Sequence, residues 1–100
     1  MRLAGKVAVV TGGGAGIGRG IVLGMAREGA DVAVPDIQDA NAQAVVKEVL
    51  GMGRRAISMR CDVTNSAEVQ ATVDRIRKEM GQIDILVNNA GMASAPGMPF

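Results

Sequence analysis

The sequence predicts an α/β fold: a doubly wound parallel sheet with helices on both faces. Two observations carry this expectation. Short β-branched runs begin about every 25 to 30 residues, and a stretch with apolar residues at helical spacing separates each pair, which is the rhythm of βαβ units. In addition, the first run ends in "TGGGAGIG" (Thr11–Gly18), a glycine cluster at a strand-to-helix junction. Right-handed crossovers between such units build an open parallel sheet.

Each element has its own signal. "KVAVVT" (Lys6–Thr11) is a β-branched run without polar alternation, as expected of a strand buried on both faces. A helix follows from Ile17 to Glu28, with Ile17, Ile21, Val22 and Met25 at helical spacing and Gly29 in the place of a C-terminal stop. "DVAVPD" (Asp31–Asp36) is the second strand, and Pro35 is expected at its very end because proline cannot donate to a ladder. The second helix starts at about Asp39, carries Val45, Val46, Val49 and Leu50 on one side, and stops at Gly51 or Gly53. "RAISMR" (Arg55–Arg60) is the third strand, and Arg54 and Arg55 read as a solvated pair at its start. "NSAE" (Asn65–Glu68) reads as a capping box opening a third helix, with Val69, Val73, Ile76 and Met80 in one stripe and Gly81 at its end. "DILVN" (Asp84–Asn88) is the fourth strand, and the tail "AGMASAPGMPF" is loop.

Composition narrows the function. The 100 residues make one small domain, and 48% of them are apolar, enough for a packed core. A net charge of +1 offers no basic field for nucleic acid or anionic lipid, and a single phenylalanine with no tyrosine or tryptophan gives no stacking platform for bases. One cysteine and no histidine exclude an internal disulfide and a histidine–cysteine zinc site, and no metal is expected. The first apolar run is too short for a signal-peptide core, and nothing approaches the roughly 20 apolar residues of a membrane span. The expected location is cytoplasmic.

The glycines answer to a specific chemistry. A helix N-terminus presents unpaired N–H groups and the positive end of its dipole, and so attracts a pyrophosphate. Backbone reaches that anion only where no Cβ intervenes, and a tight turn needs a positive φ; both demands select glycine. A third glycine in the first helical turn lets the helix lie close to the sheet. Gly12, Gly16 and Gly18 can fill these three roles, the plain alternative being a glycine turn that binds nothing. G-x-G-x-x-G does not fit, and Arg19-Gly20 stands where a mononucleotide P-loop would carry Lys-Ser/Thr.

The spacing that fits is T-G-x-x-x-G-x-G, and with it the sequence closely resembles the short-chain dehydrogenase/reductase family from Lys6 to about Phe100. Asp36 after the second strand, "CDV" (Cys61–Val63) after the third and "NNAG" (Asn88–Gly91) after the fourth extend the resemblance. It implies a Rossmann-type fold with strand order 3-2-1-4, and residues 1–100 as a partial NAD(P)-binding domain truncated after its fourth strand. It also implies a cofactor cradle in this chain. Gly12, Gly14, Ala15, Gly16, Ile17 and Gly18 form its turn, with Asp36 and Ile37 beside the adenosine ribose. Asp62 and Val63 border the adenine, the acid accepting from its amino group, and Asn89, Ala90 and Gly91 pass along the ribose side. Asn88 reads as structural, and Cys61 as a small buried residue near the adenine.

Asp36 lies about 20 residues beyond the glycine turn, where an acid accepts from the ribose hydroxyls of NAD and repels the extra phosphate of NADP. No lysine or arginine stands at Ala15 or Ile37, so NAD is the expected cofactor. Catalysis in the family uses a serine, a tyrosine and a lysine beyond the fourth strand. This chain has no tyrosine, so no catalytic residue is assigned and the chain alone is expected to be inactive. The full-length enzyme would move hydride between NAD and a carbonyl or alcohol carbon of a small molecule, as a homo-oligomer, tetramers being the family habit. A non-catalytic nucleotide-binding module and an inactive fragment are the alternatives. The fourth strand, with Ile85, Leu86 and Val87, is expected to form an apolar sheet edge that leaves the isolated chain weakly stable or self-associating.

Overall fold

The computed structural model describes residues 1–89. Four strands, β1 (Val7–Thr11), β2 (Asp31–Asp36), β3 (Ala56–Arg60) and β4 (Ile85–Asn88), form one parallel sheet in the order β3-β2-β1-β4. Three helices connect them: α1 (Gly16–Arg27), α2 (Asp39–Gly51) and α3 (Ser66–Met80). The predicted topology and strand order are those observed.

The unbroken apolar character of β1 and β2 follows from their place inside the sheet, covered on both faces. Every residue of β1 is buried, and so is all of β2 beyond Asp31. Ala8, Val10, Val32 and Val34 face α1 and α2, where they pack with Val22, Ala26, Val45 and Val49. Val7, Val9, Ala33 and Met59 face the other way and pack with Ile76 and Met80 of α3. At the edge, Ile85 and Val87 of β4 lean against the first cluster, whereas Leu86, paired with Val9, is 51% exposed. The apolar edge expected at β4 is thus Leu86 rather than the whole strand.

The helices turn different stripes to the sheet from those expected. In α1 the buried positions are Gly18, Val22, Leu23 and Ala26, while Ile17 is 71% exposed and Ile21 and Met25 are half-buried. In α2, Ala42 takes the inward place assigned to Leu50, which is 51% exposed. In α3, Thr72 is buried with Ile76 and Met80, and Val69 and Val73 are only half-buried. Small residues allow the closest approach to a sheet, so they settle a helix's rotation even where larger apolar neighbours lie on its flank. Of the two glycines offered as the end of α2, the helix runs through Gly51 and Gly53 takes the positive φ of +80°.

Asn65 caps α3 by accepting the Glu68 N–H, but the Glu68 carboxylate does not reach back to complete a box. It accepts instead from the Asp62 N–H and the Arg60 guanidinium. Arg54 and Arg55 also have protein partners: Arg54 donates to the Ala26 carbonyl, and Arg55 pairs with Asp31 at 3.0 Å. Pro35 stands last but one in β2. The Asp31 N–H donates to the Lys6 carbonyl, so odd-numbered donors of β2 face β1, yet that ladder ends at Val9↔Ala33. The missing proline donor is the next rung of that series, so the ladder stops before it, while the Pro35 carbonyl accepts from the Gly12 N–H at 2.9 Å.

Among the described residues, no helix is long and apolar enough to cross a membrane. Ile76 is the fully buried anchor of the single helix on its face of the sheet. Ile76→Ala is expected to destabilise the fold by roughly 2–5 kcal/mol, read as a fall in the urea midpoint of the circular dichroism transition.

Candidate functional site

Outside the carboxyl ends of β1, β2 and β3 lies a cleft of about 450 Å³. Gly12 and Ala15 line it from the turn after β1, and Asp36, Ile37, Gln38 and Asn41 from the end of β2 and the start of α2. Cys61, Asp62, Val63 and Thr64 line it after β3, and Asn89 after β4. In open α/β sheets this is the crevice where ligands bind.

The turn after β1 has the geometry that its glycines allow. Gly12 and Gly16 adopt φ of +65° and +57°, a left-handed conformation that side chains disfavour. α1 then begins after Ala15, with no side-chain cap and no acidic residue in its first turn. No side chain of its own first turn therefore offsets the positive end of its dipole, which suits an anion.

Two further glycines fix where that helix stands. A Cβ on Gly18 would lie 2.3 Å from the Gly12 carbonyl oxygen and 2.5 Å from Asn89 Nδ2. Asn89 donates to that same Gly12 oxygen at 3.1 Å, tying β4 to the turn. A Cβ on Gly14 would lie 2.7 Å from Asp36 Oδ2 and 2.8 Å from the Ala42 nitrogen. The Gly14 N–H donates to Asp36 Oδ2 at 2.9 Å and the Gln38 N–H to Oδ1 at 2.9 Å, so the buried carboxylate is held at both oxygens.

Asp62 is held differently. Its Oδ1 accepts from the Thr64 hydroxyl at 2.6 Å and from the Thr64 N–H at 2.9 Å. These two bonds, the hydroxyl first, hold the carboxyl below its usual value of 3.8.

Of the residues singled out in the sequence, Gly12, Ala15, Asp36, Ile37, Asp62, Val63 and Asn89 meet around one cleft. Gly14 and Gly18 are buried behind it as packing positions, and Gly16 and Ile17 lie exposed at the start of α1. Ala90 and Gly91 lie outside the described residues. Gln38, Asn41 and Thr64 line the cleft without having been singled out. For Thr64 a signal existed, since Asp-x-Thr favours a local side-chain turn. Gln38 and Asn41 had only their position just after a strand's carboxyl end.

Comparison with known proteins bears on the same stretch. The sequence profile of the short chain dehydrogenase family matches residues 6–99. The chain belongs to the short-chain dehydrogenase family. Relatives within it include the 7alpha-hydroxysteroid dehydrogenase of Escherichia coli (strain K12), 46% identical over 91% of this chain and 36% of that protein. The L-fucose dehydrogenase of Bos taurus is 41% identical over 98% of this chain and 35% of its own length. A solved structure described as 7 alpha-hydroxysteroid dehydrogenase complexed with NADH and 7-oxo glycochenodeoxycholic acid superposes with a TM-score of 0.84 at 45% identity. That match covers 87% of this chain and 34% of the solved one. This short-chain dehydrogenase sequence thus spans about a third of the length of the relatives it matches, at their amino-terminal part.

Two outcomes follow from this geometry. Gly18→Ala is expected to cost about 1–3 kcal/mol and to shift the Asn89 side-chain amide signals in NMR spectra, because its Cβ must displace Asn89 or the Gly12 carbonyl. The Asp62 carboxyl should titrate below 3.8 in carbon-detected NMR. Since its folded value is depressed, its stabilising contribution is full above the unfolded value and fades as pH falls through the folded midpoint.

Proposed function

We propose that this cleft binds a nicotinamide dinucleotide, NAD in preference to NADP, and that the chain is the cofactor-binding part of an oxidoreductase. The observation that carries the reading is the state of Asp36. Each of its oxygens accepts one backbone N–H, so the carboxylate is fixed in place and still has lone pairs to accept from two vicinal ribose hydroxyls. A 2′-phosphate in the same place would meet a buried negative charge. None of the residues lining the cleft is lysine or arginine, so no cation offsets that repulsion.

The rest of the cleft supports the same ligand. The uncapped start of α1 suits the pyrophosphate, and the missing Cβ atoms of the turn let backbone approach it. Ile37 and Val63 offer apolar surface, and Asp62 an acceptor, to a base. When bound, the nicotinamide supplies or accepts a hydride at a carbonyl or alcohol carbon. The residues of this chain bind and orient the dinucleotide, and proton transfer falls to groups beyond the described residues. The relatives support this reaction class: one is described with NADH bound, and they are named for a hydroxysteroid and for L-fucose. Those names differ although the matched third is similar in both. The substrate is accordingly read by the two-thirds of such enzymes that this chain does not span.

Titration of the chain with NADH and with NADPH, followed by cofactor fluorescence, tests the reading. Saturable binding is expected for both, with NADH at least about tenfold tighter, equivalent to about 1.4 kcal/mol. Asp36→Ala should weaken NADH by about tenfold and abolish the preference. An unchanged NADH-to-NADPH ratio in that variant would sink the assignment.

A further inference from the structure

Asp62 differs from Asp36 in having one carboxylate oxygen fully engaged and the other open. Its N–H donates to Glu68 Oε1 at 3.3 Å, and its carbonyl accepts the Asn65 N–H at 3.0 Å. Oδ1 accepts two hydrogen bonds from Thr64. Of the four polar atoms of Asp62, only Oδ2 has no partner among the described residues. The residue lines the cleft next to Val63, with Ile37 on the same cleft, so an acceptor stands beside apolar surface suited to a flat ring.

An ionised carboxylate can only accept, so what it selects is a donor. Adenine carries an exocyclic amino group at its six-position; hypoxanthine carries a carbonyl oxygen there, which Oδ2 would repel. A protonated Asp62 could donate and would lose that discrimination. The Thr64 hydroxyl is the first cause of the lowered Asp62 carboxyl, and its 2.6 Å bond also fixes which oxygen is engaged. The hydroxyl is on an exposed residue outside the core, so its contribution can be removed without opening a cavity.

We propose that Thr64 is a positioning residue for base selection: by occupying Asp62 Oδ1 with its hydroxyl and N–H, it presents Oδ2 as the acceptor for the amino group of adenine. The inference rests on the dinucleotide reading above and adds to it the group that sets the preference for an amino-bearing base. Thr64 does not itself touch the base; it acts through Asp62.

The test compares the chain with Thr64→Val and Thr64→Ser, each titrated with NADH and with reduced nicotinamide hypoxanthine dinucleotide. The Asp62 carboxyl is followed by NMR in the same three proteins. The unaltered chain should prefer NADH. Thr64→Val should lower that preference by about five- to tenfold, the size of one lost hydrogen bond. Its Asp62 carboxyl should rise toward 3.8. Thr64→Ser, which keeps the hydroxyl, should restore both readouts, which a merely structural role for the threonine methyl would not. Failure of the unaltered chain to bind either dinucleotide would overturn the dinucleotide reading and this inference with it. Binding of both dinucleotides with equal affinity would leave the dinucleotide reading standing and overturn the role of Asp62 and Thr64. Retention of the full preference in Thr64→Val, or no recovery in Thr64→Ser, would overturn the role of Thr64 alone.

Discussion

The carbonyl oxygen of Gly12 has almost no free space around it, and the arrangement of the cleft depends on that crowding. α1 passes so close that a methyl group on Gly18 would lie 2.3 Å from this oxygen. The Asn89 amide, just past the end of the neighbouring strand β4, donates to it at 3.1 Å. This part-buried carbonyl thereby meets both α1 and the chain leaving β4. Carbonyls shielded from water need partners, and here the partner is the residue that follows β4.

The two acids of the cleft show how environment assigns different work to one side chain. Asp36 stands at the end of an inner strand and is buried, with backbone donors from both sides of the β1–α1 and β2–α2 turns. It is as much a brace between these turns as a group for a ligand, which is why Gly14 has no room for a Cβ beside it. Asp62 lies in an exposed turn, braced by local bonds from Thr64 two residues ahead. Its ionised form is favoured first by the two Thr64 hydrogen bonds, and the Arg60 guanidinium adds to them. Across the sheet order β3-β2-β1, Asp62 and Asp36 follow neighbouring strands and the open start of α1 lies beyond Asp36 at β1, so the cleft is acidic toward β3 and carries the helix terminus toward β1.

The sheet is covered unequally. Among the described residues, two helices share one face with twelve buried residues, whereas α3 alone serves the other with a cluster of six. Leu86 of β4 lies beyond the reach of α3 and is half exposed. The site is built on the well-covered side of this difference. β1, β2, α1 and α2 hold the turn, Asp36 and the helix terminus, so this part of the cleft rests on the larger buried cluster.

Much of this was legible in the residues themselves. The alternation of β-branched runs and helical stripes determined the order of elements, because an unbroken apolar run or a 3.6-residue stripe is a property of neighbours in the chain. The glycine spacing from Gly12 to Gly18 and the acid at Asp36 marked the site, because close backbone approach admits one residue type. What the tertiary structure alone decided was of two kinds. One was helix rotation: Gly18, Ala26 and Ala42 turn inward and leave Ile17 and Leu50 in solvent, a choice set by how near a helix can come to the sheet rather than by the hydrophobicity of its residues. The other was contact between distant positions. The bonds from Gly14 to Asp36 and from Asn89 to Gly12 span 22 and 77 residues, and no local pattern encodes which donor will stand within 3 Å or so of which acceptor once the sheet has closed.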